Sequence, residues 1–284
     1  MREATIICND YIGDSIFASS AVEQLKLQNV YDVVNFHIRF SQPLELFQAN
    51  PNIGDVRLIG TKTPTGEIFT IPRTTWEETP PLQFQKFCGV SNPTSEYKVY
   101  VPEYAKREAF DYIQPIKDEY IGIPIIAWQA NWWERSFFFT EEEYEIAYNT
   151  PDIGYGKCRR DINYIINRLG EKFVMIRIGL DNGVKQHDPR TSVKSYTKDA
   201  AIIEQCDWLI GPEGGMTNLG AGLRTKCIIT TDLIYQLYGP RGLMKQNPDP
   251  QMGPAKLFPS GGHTHLNPFL TDEQVVQEIE KIVS

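Results

Sequence analysis

At 284 residues, 41% hydrophobic and 23% charged, the chain carries enough apolar material for a large core, which excludes wholesale disorder. Its 36 acidic residues against 28 basic ones leave a net charge of -8, the wrong sign for a nucleic-acid partner but no bar to a local basic phosphate site. Five cysteines (Cys8, Cys88, Cys158, Cys206, Cys227) are scattered without a pairing motif, no signal-peptide pattern precedes the first strand, and no run is long enough to span a membrane. A cytoplasmic protein is expected, with peripheral membrane contact left open and a length that suits about two domains.

Strands and helices alternate, which predicts parallel sheets. Ala4–Cys8 reads as a strand, followed by a polar loop through Asp14 and a helix over Ser15–Gln28 that buries Ile16, Ala18, Val22 and Leu25. Val33–Phe36 is a second strand, Pro43 opens a short helix over Leu44–Gln48, and Val56–Ile59 is a third strand. Residues 61–80 are rich in Thr and Pro and read as an irregular excursion. A helix over Glu103–Ile113 is expected to stop before Pro115, with Gln114–Pro124 as the interdomain linker.

The alternation then restarts. Ile123–Trp128 is an apolar strand, Thr140–Glu143 a capping box opening a helix to about Tyr148, Arg160–Leu169 a helix, and Lys172–Ile178 a strand. Residues 199–230 carry the strongest signal: helix, buried strand, glycine turn, helix, buried strand. Residues 238–270 show no periodicity, which in a compact domain marks a functional loop or lid, and Thr271–Gln274 is a capping box opening a final helix to about Val283.

The turn Gly211-Pro212-Glu213-Gly214-Gly215-Met216-Thr217 sits where a helix begins at the carboxyl end of a sheet. Free first-turn amides and the positive end of the helix dipole attract phosphate there, and glycines let the backbone approach a ligand closely. The turn reads as the cradle of a diphosphate on a nucleotide-linked substrate. Asp14, after Ile12 and Gly13, faces the ligand crevice of the first half, where a carboxylate serves either as general base toward a hydroxyl or as a helix cap. The run Gln129 to Arg135 follows the first strand of the second half. Arg135 either neutralises diphosphate charge or stacks on Trp132 or Trp133. The Trp pair and Phe137-Phe138-Phe139 suit burial better than sugar contact. His263 and His265 have a metal-like spacing but no third ligand nearby, so no metal site is assigned. No GxGxxG follows the first strand and no Walker lysine follows either glycine turn, which weakens a nicotinamide oxidoreductase reading.

Gly13-Asp14-Ser15 with Ala18 to Lys26 resembles the opening of the ADP-heptose:lipopolysaccharide heptosyltransferase family, glycosyltransferase family nine. Asn50 to Val56, Gln85 to Val90 and Tyr97 to Pro102 resemble its middle landmarks, and Ala200–Ile228 its helix, strand, glycine turn and helix. The resemblance implies a GT-B fold: two Rossmann-like domains whose parallel sheets face each other across a cleft. It implies Asp14 as catalytic base, Arg135 in place of a phosphate-binding lysine, and Glu213, Gly214, Gly215 and Thr217 in the donor diphosphate loop. Gly13, Gln129, Met216 and Asn218 complete the expected donor side. Glu213 stands where the family has Asp, Gly214 where a hydroxyl residue is common, and Asn218 where it has His.

The expectation is therefore an inverting, metal-independent glycosyltransferase with no cofactor, whose partners are a nucleotide-diphosphate sugar donor and a glycan or glycoconjugate acceptor. Residues 1–118 would form the acceptor-side domain and 119–284 the donor-binding domain, with the last helix, 271–283, free to pack back on the first. A catalytically inactive nucleotide-sugar binding protein and a sugar-nucleotide epimerase of the same fold are the alternatives.

Overall fold

The computed structural model describes residues 2–10, 12–72, 78–129, 162–179, 195–212, 214–230, 263–266 and 270–284. The first half builds β1 (Glu3–Cys8), α1 (Ile12–Leu27), β2 (Val33–Ile38), α2 (Leu44–Gln48), β3 (Val56–Leu58) and β4 (Glu67–Thr70), then α3 (Pro80–Phe87) and α4 (Glu103–Glu119). Its sheet is parallel, in the order β3-β2-β1-β4. The second half builds β5 (Ile125–Gln129), α5 (Ile162–Gly170), β6 (Val174–Ile178), α6 (Tyr196–Gln205), β7 (Trp208–Pro212), α7 (Gly215–Gly222), β8 (Lys226–Thr230), β9 (Thr264–Leu266) and α8 (Asp272–Val283). This sheet is also parallel, in the order β6-β5-β7-β8-β9.

Strands covered on both faces need apolar residues at every position, not alternation. β5 shows it: all of Ile125, Ile126, Ala127, Trp128 and Gln129 are buried. Ile126 and Trp128 pack with Met175, Ile210 and Ile228 against α5 and α8. Ile125 and Ala127 face the other way, into a cluster that continues through Ile176, Leu209 and Cys227 to Ile6, Phe36 and Val34 of the first sheet. That shared cluster joins the halves. α1 lies inside it and buries nine residues from Ser15 to Leu25, where two hydroxyls fold back on the helix: Ser19 donates to the Ile16 carbonyl and Ser20 to that of Phe17, both at 2.7 Å.

Several expectations are corrected. The excursion at 61–80 contains β4, an edge strand of mostly exposed residues that pairs with β1, and α3 begins at its end. α4 runs through Pro115 to Glu119, because Pro115 and the carbonyl it leaves unpaired, on Asp111, both lie on the exposed face while Ile113 and Ile116 stay buried. Only Tyr120–Pro124 therefore connects α4 to β5. The span 238–270 holds β9, paired with β8. The final helix stays with the second sheet, where Val275, Val276 and Ile279 pack on Ile165, Ile166 and Leu169 and Lys172 pairs with Glu280 at 2.6 Å. Its capping box forms as expected, with Thr271 Oγ1 accepting from Gln274 N and Gln274 Oε1 from Thr271 N. The helix expected from Thr140 to Tyr148, Cys158, and the aromatic run Trp132 to Phe139 lie outside the described residues.

Candidate active site

In each sheet the chain leaves one strand toward one side and later returns to pair on its other side: β1 lies between β2 and β4, and β5 between β6 and β7. Ligands of open parallel sheets bind at such switch points, outside the carboxyl ends of the strands. α1 begins just past the carboxyl end of β1, and α7 just past that of β7.

The start of α7 is held by its own residues. Asn218 N donates to the Gly214 carbonyl at 2.9 Å, opening the helical ladder. The fully buried Thr217 accepts from Gly214 N and donates to Gly214 O through its hydroxyl, both at 3.0 Å. Thr217 is thus a positioning residue with its hydroxyl committed to the turn. The amides of Gly215 and Met216 precede Asn218 N, the first intrahelical donor, so the helix offers them no acceptor of its own and leaves them available to a ligand. The two turn glycines have different jobs. A Cβ on Gly214 would meet nothing within 4 Å, whereas one on Gly215 would lie 3.1 Å from the Tyr196 hydroxyl and 3.5 Å from Ile12 Cγ2. Gly214 faces open space and Gly215 is a packing glycine.

The helix starts abut. A Cβ on Gly13 would come within 2.6 Å of Asn218 Nδ2 and 3.9 Å of Gly215 Cα. Gly13 and Asn218 therefore act on each other, bringing the first turn of α1 against the first turn of α7. Two like dipole ends brought together favour an anion beside them. Asp14, half-buried, is the third residue of α1. Helix α1 starts three residues earlier than the sequence suggests, so Asp14 lies past the position from which an Asp caps a helix. Beneath it, burial pushes the Cys8 thiol up to about 11, helped by the charges of Asp14 and Asp10. Cys8 is a packing thiol, as are Cys88, Cys206 and Cys227, all buried and unbridged.

Gln129 closes β5 with its side chain buried between the carboxyl ends of β6 and β7. Its Cγ is 3.4 Å from a Cβ placed on Gly179, and its Oε1 is 3.2 Å from one placed on Gly211. That Oε1 has no hydrogen-bond partner among the described residues. Buried polar atoms are rarely left so, and a ligand or water at the switch point would complete it. Met216 is buried under the turn. Arg135 and Glu213 lie outside the described residues. His263 accepts the Cys227 N–H through Nδ1 at 3.2 Å, and burial lowers its pKa, which gives it a role in β8.

Sequence reading missed two tyrosines. Tyr97 donates to the Asn218 carbonyl and Tyr196 to the Gly215 carbonyl, both at 2.9 Å. The landmark motifs serve the frame. Gln85 binds Ser20 Oγ at 3.1 Å and Thr94 N at 2.8 Å, and Asn50 Oδ1 accepts from Asn52 N at 2.9 Å. Tyr97–Val101 forms the seam with the second half, Val99 N donating to Gly222 O at 3.1 Å. A surface depression of about 160 Å³ lined by Tyr120, Ile123 and Phe173 lies at the opposite, amino ends of β5 and β6, away from this chemistry.

Neither a protein-family model nor a curated protein matches the sequence. Solved structures match the fold along nearly the whole chain. The family-nine glycosyl transferase of Veillonella parvula superposes with a TM-score of 0.63 at 10% identity, covering 99% of this chain and 97% of that one. ADP-heptose LPS heptosyltransferase II of E. coli gives 0.59 at 9% identity, covering 100% and 98%. The E. coli heptosyltransferase WaaC, solved with ADP, gives 0.54 at 11% identity, covering 98% and 97%. The chain has the GT-B fold of these glycosyltransferases.

Proposed function

We propose that the protein is a glycosyltransferase that moves a sugar from a nucleotide-diphosphate donor to an acceptor hydroxyl of a glycan or glycoconjugate. One observation carries the reading. The first turn of α1, bearing Asp14, packs through Gly13 on the first turn of α7, where Gly214 opens onto free space and the Gly215 and Met216 amides await a partner. Base and phosphate cradle thereby stand side by side at two switch points. Asp14 takes the proton of the acceptor hydroxyl, and the oxygen attacks the anomeric carbon opposite the leaving group, with inversion. The departing diphosphate gains negative charge, which the α7 amides and dipole stabilise. By the family resemblance Arg135 adds a cationic fork to the same charge and Glu213 belongs to the same loop. The orphaned Oε1 of Gln129 accepts a hydrogen bond from the donor beside the cradle. Buried free cysteines suit work in the cytoplasm, and no described helix is long and apolar enough to cross a membrane.

A thermal-shift panel of nucleotide sugars and nucleoside diphosphates tests the reading. An ADP-linked donor comes first, because WaaC holds ADP. A ligand at 100 times its dissociation constant adds about 2.7 kcal/mol, a rise of several degrees. No shift with any nucleotide would remove the donor site. Assays with and without acceptor then separate transfer from epimerisation, which proceeds on the donor alone.

Transfer is expected to proceed in excess chelator, because the amides and Arg135 supply the positive potential that a divalent ion otherwise brings. Activity abolished by chelation and restored by a divalent ion would contradict this.

A further inference from the structure

We propose that Tyr196 is a positioning residue for the donor diphosphate: by holding the Gly215 carbonyl, its hydroxyl aims the Met216 N–H at the bound phosphate. This rests on the reading of the α7 start as a phosphate site.

The Gly215 carbonyl and the Met216 N–H belong to one planar peptide unit and point in opposite directions. Fixing the first fixes the second. Tyr196 Oη donates to that carbonyl at 2.9 Å. The hydroxyl reaches it because Gly215 has no side chain: a Cβ there would lie 3.1 Å from Oη. The carbonyl also takes the Leu219 N–H of the helical ladder, which uses its second lone pair. A donor on the carbonyl further polarises the N–H of the same peptide. Tyr196 is itself anchored, as the first residue of α6, behind Ser195, whose Oγ caps the Lys198 N–H at 3.2 Å. Burial, with the charge of Asp199 added, holds its hydroxyl far above the usual tyrosine range, so it remains a donor at every working pH.

Tyr97 supplies an internal control. It makes an equivalent bond, 2.9 Å to the Asn218 carbonyl, but the N–H in that peptide unit is that of Leu219, already spent inside the helix. Loss of this bond loosens the seam between the halves without touching an amide that a ligand uses.

The test compares wild type, Tyr196→Phe and Tyr97→Phe by calorimetric titration with ADP, UDP, GDP and inorganic pyrophosphate, with the free nucleosides as phosphate-free controls. Tyr196→Phe is expected to weaken diphosphate and pyrophosphate binding about threefold to tenfold, with nucleoside binding unchanged. Tyr97→Phe is expected to lower the melting temperature and leave that selectivity intact. In wild type, the Met216 amide should be among the backbone resonances most shifted by the diphosphate, a readout independent of how either variant folds. Diphosphate affinity unchanged in Tyr196→Phe overturns the proposal and leaves the phosphate site standing. The same holds for equal weakening of nucleoside and diphosphate, for a matching selective loss in Tyr97→Phe, and for a Met216 amide that does not move. Failure of wild type to bind any of the four probes overturns the phosphate site and the proposal together.

Discussion

Asp14→Asn is expected to keep donor affinity near wild type and to lower transfer by about 10²–10⁴-fold, the usual loss when a general base is removed. Asparagine matches the shape of aspartate and retains the side-chain oxygen, so the first turn of α1 should persist, but it cannot take a proton. Two features favour the base assignment over a purely local role. Asp14 is the third residue of the helix and lies past the capping position, and its neighbour Gly13 meets Gly215 and Asn218 in the first turn of α7. A carboxylate that only complemented the α1 dipole would contribute about 0.3–1 kcal/mol of stability and nothing to the chemical step. The two roles therefore separate cleanly. Turnover and donor affinity should be measured in parallel, with a melting curve on the variant. A small loss of melting temperature with near wild-type turnover would return Asp14 to a helix-stabilising role and move the search for the base to another residue of the cleft.

The parts of this fold legible in the sequence are those whose signal is local. Residues 199–230 read correctly as α6, β7, α7 and β8 because two apolar runs of strand length flank a glycine turn, and Thr271 with Gln274 announces the last helix as a capping box does. β4 was hidden because it is an edge strand: only Phe69 is turned even partly inward, so neither alternation nor a continuous apolar run appears. Pro115 misled because its cost depends on which side of α4 it falls, and periodicity alone does not weigh an exposed unpaired carbonyl against the burial of Ile113 and Ile116. The candidate site was legible as a neighbourhood and not as a division of labour. Asp14, Gly13, Gln129 and the glycine turn do lie at carboxyl ends of central strands, as alternation and loop position imply. What sets Gly215 apart from Gly214 is its contact with Tyr196 and Ile12, one nineteen residues upstream in the turn's own half and the other from the opposite half of the chain. No local pattern encodes such contacts. Tyr196 did carry a faint signal, as an aromatic residue directly after a capping serine, and Tyr97 sat in a landmark motif whose purpose only the seam with α7 explains.

That division leads to the sharpest test of the phosphate cradle, a pair of substitutions one residue apart. Gly214→Val is expected to leave the melting temperature near wild type and to weaken nucleoside diphosphate binding on the order of 100-fold. Its backbone is extended and a Cβ there meets nothing within 4 Å, so the protein itself has room for the side chain. The same side chain would stand in the space a diphosphate needs to reach the Gly215 and Met216 amides. Two charge-assisted hydrogen bonds at roughly 1.5–3 kcal/mol each are then at stake, with water recovering part of the loss. Gly215→Val is expected to behave differently. Its Cβ would lie 3.1 Å from the Tyr196 hydroxyl and 3.5 Å from Ile12 Cγ2, and the two methyl groups beyond it would press into the contact between α1, α6 and α7. Overpacking of this kind costs about 1–3 kcal/mol, which should appear as a lowered melting temperature and a general loss of affinity. Titration with nucleoside, monophosphate and diphosphate distinguishes the two. Only Gly214→Val should show a penalty that grows with each phosphate while the fold stays intact. A folded Gly214→Val protein that binds all three ligands as wild type does would mean that the open space beside Gly214 is not where the diphosphate lies.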